Sequence, residues 1–363
     1  MTVSDTVAAT IAAIAAIPAP DASARDAARA HQSRLTKPAG ALGRLEELHV
    51  WTAGVRGEAT PRLDRALIVV AAADHGVAEA RVSAYPRDVT WQMVANFLAG
   101  GAAVNVLAAH AGARVRVVDA GVLRDSDDAR VHVAKTRGGT DNMTRGPAMS
   151  RDEAETLLAR GIEFARDEAA AGADAIALGD MGIGNTTAAA AITAVIAGVP
   201  PGVAAGRGTG IDDAAFAAKV AAIERAIAAN TPDATDALDV LAKVGGFEIG
   251  FLAGVAIGAA GARVPVVLDG YPTTAAALIA ATLAPACGAF MLASHVSAEP
   301  GHRIALAHLG LRPLLDLDMR LGEGSGAALA LTLLGAALRI PREMATFESA
   351  GVSRSDGETQ PEA

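Results

Sequence analysis

Five short apolar runs, each closed by a polar turn and followed by an alanine-rich stretch, constrain this chain more than any other feature. Residues 66–71 lead into Asp74-His75-Gly76, 115–119 into Ala120-Gly121, and 175–178 into the turn 179–187. Residues 264–268 lead into 269–274, and 289–292 into 294–299. Runs without polar alternation, separated by helical stretches, read as strands of a parallel sheet covered on both faces. The pattern therefore predicts a doubly wound, Rossmann-like α/β fold with a mostly parallel sheet. Pro265 must sit at a strand start or edge, because it cannot donate to a ladder. In such sheets ligands bind beyond the carboxyl ends of the strands, and the five polar turns all fall there.

The two ends of the chain lack this rhythm. Residues 1–60 and 326–352 carry helical patterns and no strand. They are expected to pack together as a smaller helical domain beside the α/β domain of residues 61–325, in keeping with 363 residues exceeding one core. The polar residues 353–363 are expected to be a disordered tail.

Composition narrows the partners. Apolar residues make up 52% of the chain but aromatics only 3%, so alanine and glycine fill the core and let helices lie close to strands and to each other. An apolar excess of this size also points to a large subunit interface. The net charge of −9 is scattered along the chain, without the basic footprint that nucleic acid or an anionic membrane needs. An anionic ligand must be held locally, by backbone amides and one or two cations. The single cysteine, Cys287, sits in an apolar run and reads as an inert buried thiol. Residues 7–17 look like a leader but follow Asp5 without a basic region, and Ser4 can cap them as an amphipathic helix. Residues 270–298 are nearly uncharged, yet Pro272, Pro285 and Gly288 divide them into pieces too short to span a membrane. A cytoplasmic protein without membrane insertion is expected.

The turns carry the chemistry. Gly182-Ile-Gly-Asn-Thr186-Thr187 and Gly270-Tyr-Pro-Thr273-Thr274 both place paired threonines between a strand and a helix. Each pair can be an ordinary N-cap or part of an anion site on the helix's free amides. Glycines 179, 182 and 184 favour close backbone approach to a ligand at the first turn. Gly206-Arg-Gly-Thr-Gly210, with Lys219 in the helical stretch beyond, offers a second source of amides and a cation, though it is neither a dinucleotide nor a P-loop fingerprint. In Arg320-Leu-Gly-Glu323-Gly-Ser-Gly326 a glutamate stands between glycines. It is either a structural turn or a carboxylate projected into the crevice as a general base. His75, adjacent to Asp74, packs and hydrogen-bonds rather than forming a relay, since neighbouring strand residues face opposite ways. The eight histidines show no metal-ligand spacing, so neither a metal nor a cofactor is assigned.

Taken together these turns resemble the nicotinate-nucleotide–dimethylbenzimidazole phosphoribosyltransferase family. The resemblance rests on Leu35-Thr-Lys-Pro-Ala-Gly-Ala-Leu-Gly-Arg-Leu-Glu46, Asp74-His-Gly-Val-Ala-Glu79 and Ser83-Ala-Tyr-Pro-Arg-Asp-Val-Thr90 with Gln92-Met93. Residues 181–187, 206–210 and 320–326 complete it, in the family's order, from about residue 30 to 350. It implies transfer of the phosphoribosyl group of nicotinate mononucleotide to 5,6-dimethylbenzimidazole, with inversion at C1′, giving α-ribazole 5′-phosphate and nicotinate for the lower ligand of cobalamin. By resemblance Glu323 and Asp180 are the catalytic carboxylates, Glu323 taking the imidazole proton. Gly182, Gly184, Asn185, Thr186, Gly208, Lys219 and Ser297 would hold phosphate and ribose. Ser83, Tyr85, Pro86, Gln92, Met181 and Leu321 would line the base pocket. The family generally has glutamate where Asp180 stands, so the carboxylate here is one methylene shorter. The apolar excess and the resemblance together imply a homodimer.

Other readings stay distinguishable. A different transferase or hydrolase of an N-glycosidic bond would turn over the mononucleotide without a benzimidazole. A non-catalytic nucleotide sensor would bind it and release nothing. A dinucleotide dehydrogenase fits worst, because the first strand ends in Asp-His-Gly.

Overall fold

The computed structural model describes residue 10 and residues 12–14, 16–208 and 210–353. The N-terminal helix expected over 7–17 lies partly outside these residues and its Ser4 cap outside them, and the expected tail lies almost wholly outside them.

Six strands form one fully parallel sheet: β1 (Ala66–Ala73), β2 (Arg114–Gly121), β3 (His132–Val133), β4 (Ala175–Met181), β5 (Val266–Leu268) and β6 (Met291–Ala293). Their order is β3-β2-β1-β4-β5-β6. The chain winds outward from β1 to one edge, then returns to β4 and winds to the other. This is the doubly wound arrangement, and its switch point lies between β1 and β4, where a crevice opens past the strand ends. The continuous apolar runs are explained by burial: all eight residues of β1 are inaccessible on both faces. Pro265 stands just before β5, and its carbonyl accepts the Ile176 amide at 3.0 Å. β3 and a separate parallel pair, β7 (His295–Val296) with β8 (Leu315–Asp316), have two residues per strand. Strands this short carry no periodicity, and no sequence pattern marks them.

The small residues do what the composition suggests. Helices Arg151–Ala170 and Phe247–Gly261 pack backbone to backbone through Gly161, Gly254 and Gly258, where any Cβ would strike the facing main chain. The stretch Val89–Ala111 has the length and apolarity to cross a membrane. It is nevertheless two helices, Val89–Ala99 and Ala103–Ala111, turning at Gly100 with φ 80°, and the first packs on β1, β2 and β4.

The chain divides into two compact units. The larger holds Asp64–Leu331 and the described residues before Pro20, which the sequence pattern groups instead with 20–60. The smaller unit combines 20–63 with the chain from Thr332 onward. In it the helices Ala22–Gln32 and Arg44–Arg56 meet the C-terminal segment, with an isolated bridge between Leu35 and Thr346. Lys37 and Glu46, from the first of the motifs that carry the resemblance, form a buried ion pair at 2.8 Å.

Candidate active site

A cavity of about 360 Å³ opens at the switch point, past the ends of β4, β5 and β6. Its floor carries carboxylates. Asp180, at the end of β4, is buried; its Oδ2 accepts Asn185 Nδ2 at 2.7 Å, and its Oδ1 has no partner among the described residues. Burial, together with the charges of Asp269, Glu248 and Glu323, holds its carboxyl well above the ordinary range. Glu323 faces the cavity from a turn in which three successive residues are left-handed: Gly322 at φ 83°, Glu323 at 64° and Gly324 at 89°. A glutamate at positive φ is strained, and the turn survives because it is wedged against β4. A Cβ on Gly179 would lie 2.7 Å from the Glu323 carbonyl. Burial and then the charge of Asp269 push the Glu323 carboxyl up to about 7.

Next to Asp180 the cavity is lined by the start of a helix and by a glycine turn. The helix Asn185–Ile196 starts at Gly184 with no side-chain cap, and Gly184 to Thr186 line the cavity. Gly208, left-handed at φ 50°, lines it as well. Lys219 does not reach the wall: its side chain is wholly buried, with Nζ donating to Thr186 Oγ1 and to the Gly206 carbonyl, both at 2.9 Å. A Cβ at Gly208 would sit 3.4 Å from that Nζ, so glycine leaves the ammonium's field open to the cavity. Burial lowers the Lys219 pKa to about 8, opposed by the nearby Glu299. Glu299 itself accepts the Gly208 amide on Oε1 at 2.7 Å. Ser297 lines the cavity, and its hydroxyl oxygen accepts the Glu299 amide at 3.3 Å.

Comparison with known proteins decides the family. A phosphoribosyltransferase family model matches residues 17–352. The nicotinate-nucleotide–dimethylbenzimidazole phosphoribosyltransferase of Desulforudis audaxviator is 55% identical over 336 residues, covering 92% of this chain and 95% of that protein. Its counterpart from Chloroflexus aggregans is 56% identical over 334 residues, with the same coverage. The crystal structure of the corresponding Thermus thermophilus enzyme superposes with a TM-score of 0.87 at 49% identity, over 92% of this chain and all of that one. The chain belongs to the nicotinate-nucleotide–dimethylbenzimidazole phosphoribosyltransferase family. It is a pentosyltransferase enzyme, and its reaction is phosphoribosyl transfer in assembly of the cobalamin lower ligand.

On the remaining wall of this phosphoribosyltransferase stand Ser83, Tyr85, Met181 and Leu321. Tyr85 and Leu321 are 54% and 56% exposed at the mouth. Val89 and Met93 complete that wall from one face of their helix. Successive helical residues point about 100° apart, so Gln92 turns away and lines a neighbouring hollow with Asp74 and Arg124. Pro86 is exposed and outside the cavity wall. Thr90 connects this helix to the β4 turn by accepting the Ile183 amide at 3.2 Å.

The two threonine pairs differ in use. Thr273 and Thr274 are buried and spend their hydroxyls on the Gly270 carbonyl, Thr274 also meeting His302. Gly270, Tyr271 and Pro272 of the same turn line the cavity, while these two hydroxyls are structural. Glycines 179 and 182 likewise admit protein backbone, the Glu323 turn and the Ala73 carbonyl respectively. His75 is buried against Glu248 at 2.8 Å, below the Gly182–Gly184 loop. Sequence reasoning missed Asp269, Glu299 and His295 as parts of the site. Only Asp269 had a usable signal, a lone acid closing an apolar strand.

Proposed function

We propose that the enzyme transfers the phosphoribosyl group of nicotinate mononucleotide to 5,6-dimethylbenzimidazole with inversion at C1′. The unprotonated imidazole nitrogen attacks C1′ as the glycosidic C1′–N bond breaks, and that electron pair leaves with nicotinate, whose pyridinium becomes a neutral pyridine. The proton on the other imidazole nitrogen passes to Glu323, and the product is α-ribazole 5′-phosphate. The supporting observation is Glu323 itself: a carboxylate on a strained turn, facing the cavity, with its pKa raised to about 7, where a general base works best at neutral pH. Asp180, buried and biased toward its protonated form, orients the substrate by hydrogen bonding through the oxygen that has no partner among the described residues.

The phosphate end is assigned to the uncapped start of helix Asn185–Ile196, the Gly208 turn, Ser297 and the field of Lys219. The flat base is assigned to the wall of Tyr85, Met181, Met93 and Leu321, where ring and thioether surfaces suit it. Holding both substrates in line supplies most of the acceleration. The enzyme is further read as a cytoplasmic homodimer, supported by exposed apolar residues such as Val106 and Val133.

Nicotinate release, followed with and without dimethylbenzimidazole, tests the reading. Release that depends on the base supports transfer. Equal release without it makes the enzyme a hydrolase of the N-glycosidic bond and ends the proposal.

A further inference from the structure

Asp269 closes β5 and is buried, yet it points at the catalytic turn rather than at the cavity. Its Oδ2 accepts the Gly324 amide at 3.1 Å and its Oδ1 the Ala327 amide at 2.9 Å. The Gly326 and Gly270 amides also bond to it. One carboxylate thus ties down both the left-handed turn that carries Glu323 and the start of helix Ser325–Glu343. Three consecutive residues at positive φ do not persist without such a hold.

We propose that Asp269 is a positioning residue of the transfer reaction, fixing where the Glu323 carboxylate stands and how readily it takes a proton. The inference rests on Glu323 being the base. The groups around Glu323 come from several elements: Asp180 from β4, Asp269 from just past β5, His295 from β7 and Arg320 from its own turn, while Glu248 of helix Phe247–Gly261 acts on Asp180. His295 does not cancel the Asp269 charge. Its Nδ1 lies 4.0 Å from Asp269 Oδ1, it is paired with Ser294 Oγ at 2.9 Å, and burial keeps the ring neutral. Arg320 is engaged with the Gly208 carbonyl at 3.2 Å. Burial pushes the Asp269 carboxyl itself up to about 7, so it and Glu323 titrate over the same range and a charge on either raises the other.

Two variants test this by the pH dependence of kcat. Asp269→Asn removes the charge and at least one amide bond, since its NH₂ cannot accept. Its acidic limb should move roughly one pH unit lower, while plateau kcat falls roughly 10- to 100-fold from lost placement. Asp269→Glu keeps the charge but overreaches the turn, so its limb should stay while kcat falls by a similar factor. A limb that does not move in the asparagine variant overturns the proposal. So does a glutamate variant with wild-type kcat, which decides the matter even if the asparagine variant fails to fold. Glu323→Gln serves as the control: if it keeps the acidic limb, the reading of Glu323 as base fails whatever Asp269 does.

Discussion

Replacing Glu323 by glutamine should disable the enzyme and stabilise it at the same time. The cavity holds this carboxyl at about 7, against an ordinary 4.5, so the folded state resists its ionisation. At 1.36 kcal/mol per tenfold change in proton affinity, the gap corresponds to about 3 kcal/mol. Water at the cavity mouth screens part of this, leaving roughly 2 kcal/mol against the ionised native state. The sign follows from the raised pKa. Below pH 4.5 both folded and unfolded chains carry the proton and the carboxyl is neutral in effect. Between 4.5 and about 7 the unfolded chain loses its proton first, so wild-type stability falls as pH rises. Glutamine has no proton to lose. Urea unfolding should therefore show Glu323→Gln more stable than wild type by roughly 2 kcal/mol at pH 8.5, and equal to it near pH 4. The same variant should lose roughly 10²–10⁴-fold in kcat. Equal stabilities at pH 8.5 would refute the claim that the cavity strains this carboxylate.

Lys219→Ala should raise the KM for nicotinate mononucleotide more than it lowers kcat, since the positive charge buried behind Gly208 and its support of Thr186 are lost; an unchanged KM removes Lys219 from phosphate recognition. In the wild type, kcat/KM should decline above pH 8, because free Lys219 titrates at about 8 and the neutral amine attracts no phosphate. Asp180→Asn keeps the bond to Asn185 on one side and should cost less than roughly 10²-fold in kcat, short of the loss at Glu323; a larger loss would exchange the roles of the two carboxylates. Sedimentation at micromolar protein should show a dimer, and a fully active monomer would contradict that reading.

The sheet was legible because parallel strands buried on both faces leave unbroken apolar runs, as in β1 and β4. β3, β7 and β8 were not, since two residues cannot display a period. The site was legible as a set of turns, but their inner workings were not. Glycines 179 and 182 read as room for a ligand; the Cβ side of each is filled by protein backbone from distant segments, and Gly182 also lines the cavity. Lys219 read as a cation open to a ligand, and only the fold shows it buried behind Gly208 and tied to Thr186. Gln92 and Met93 are adjacent in sequence, and helix phase alone sends Met93 to the cavity and Gln92 to the next hollow. Asp269 was visible as a lone acid closing an apolar strand, but its role was not, because its partner Gly324 stands 55 residues away. A carboxylate that acts through another segment's amides leaves no local pattern to read.

The most direct test of the account is the product itself. The purified enzyme is incubated with nicotinate mononucleotide and 5,6-dimethylbenzimidazole, and the nucleotide formed is identified by mass and by the configuration of its anomeric proton in NMR. In-line displacement predicts α-ribazole 5′-phosphate in equal amount to nicotinate released. A β-configured product, or ribose 5-phosphate in place of the base adduct, would contradict it.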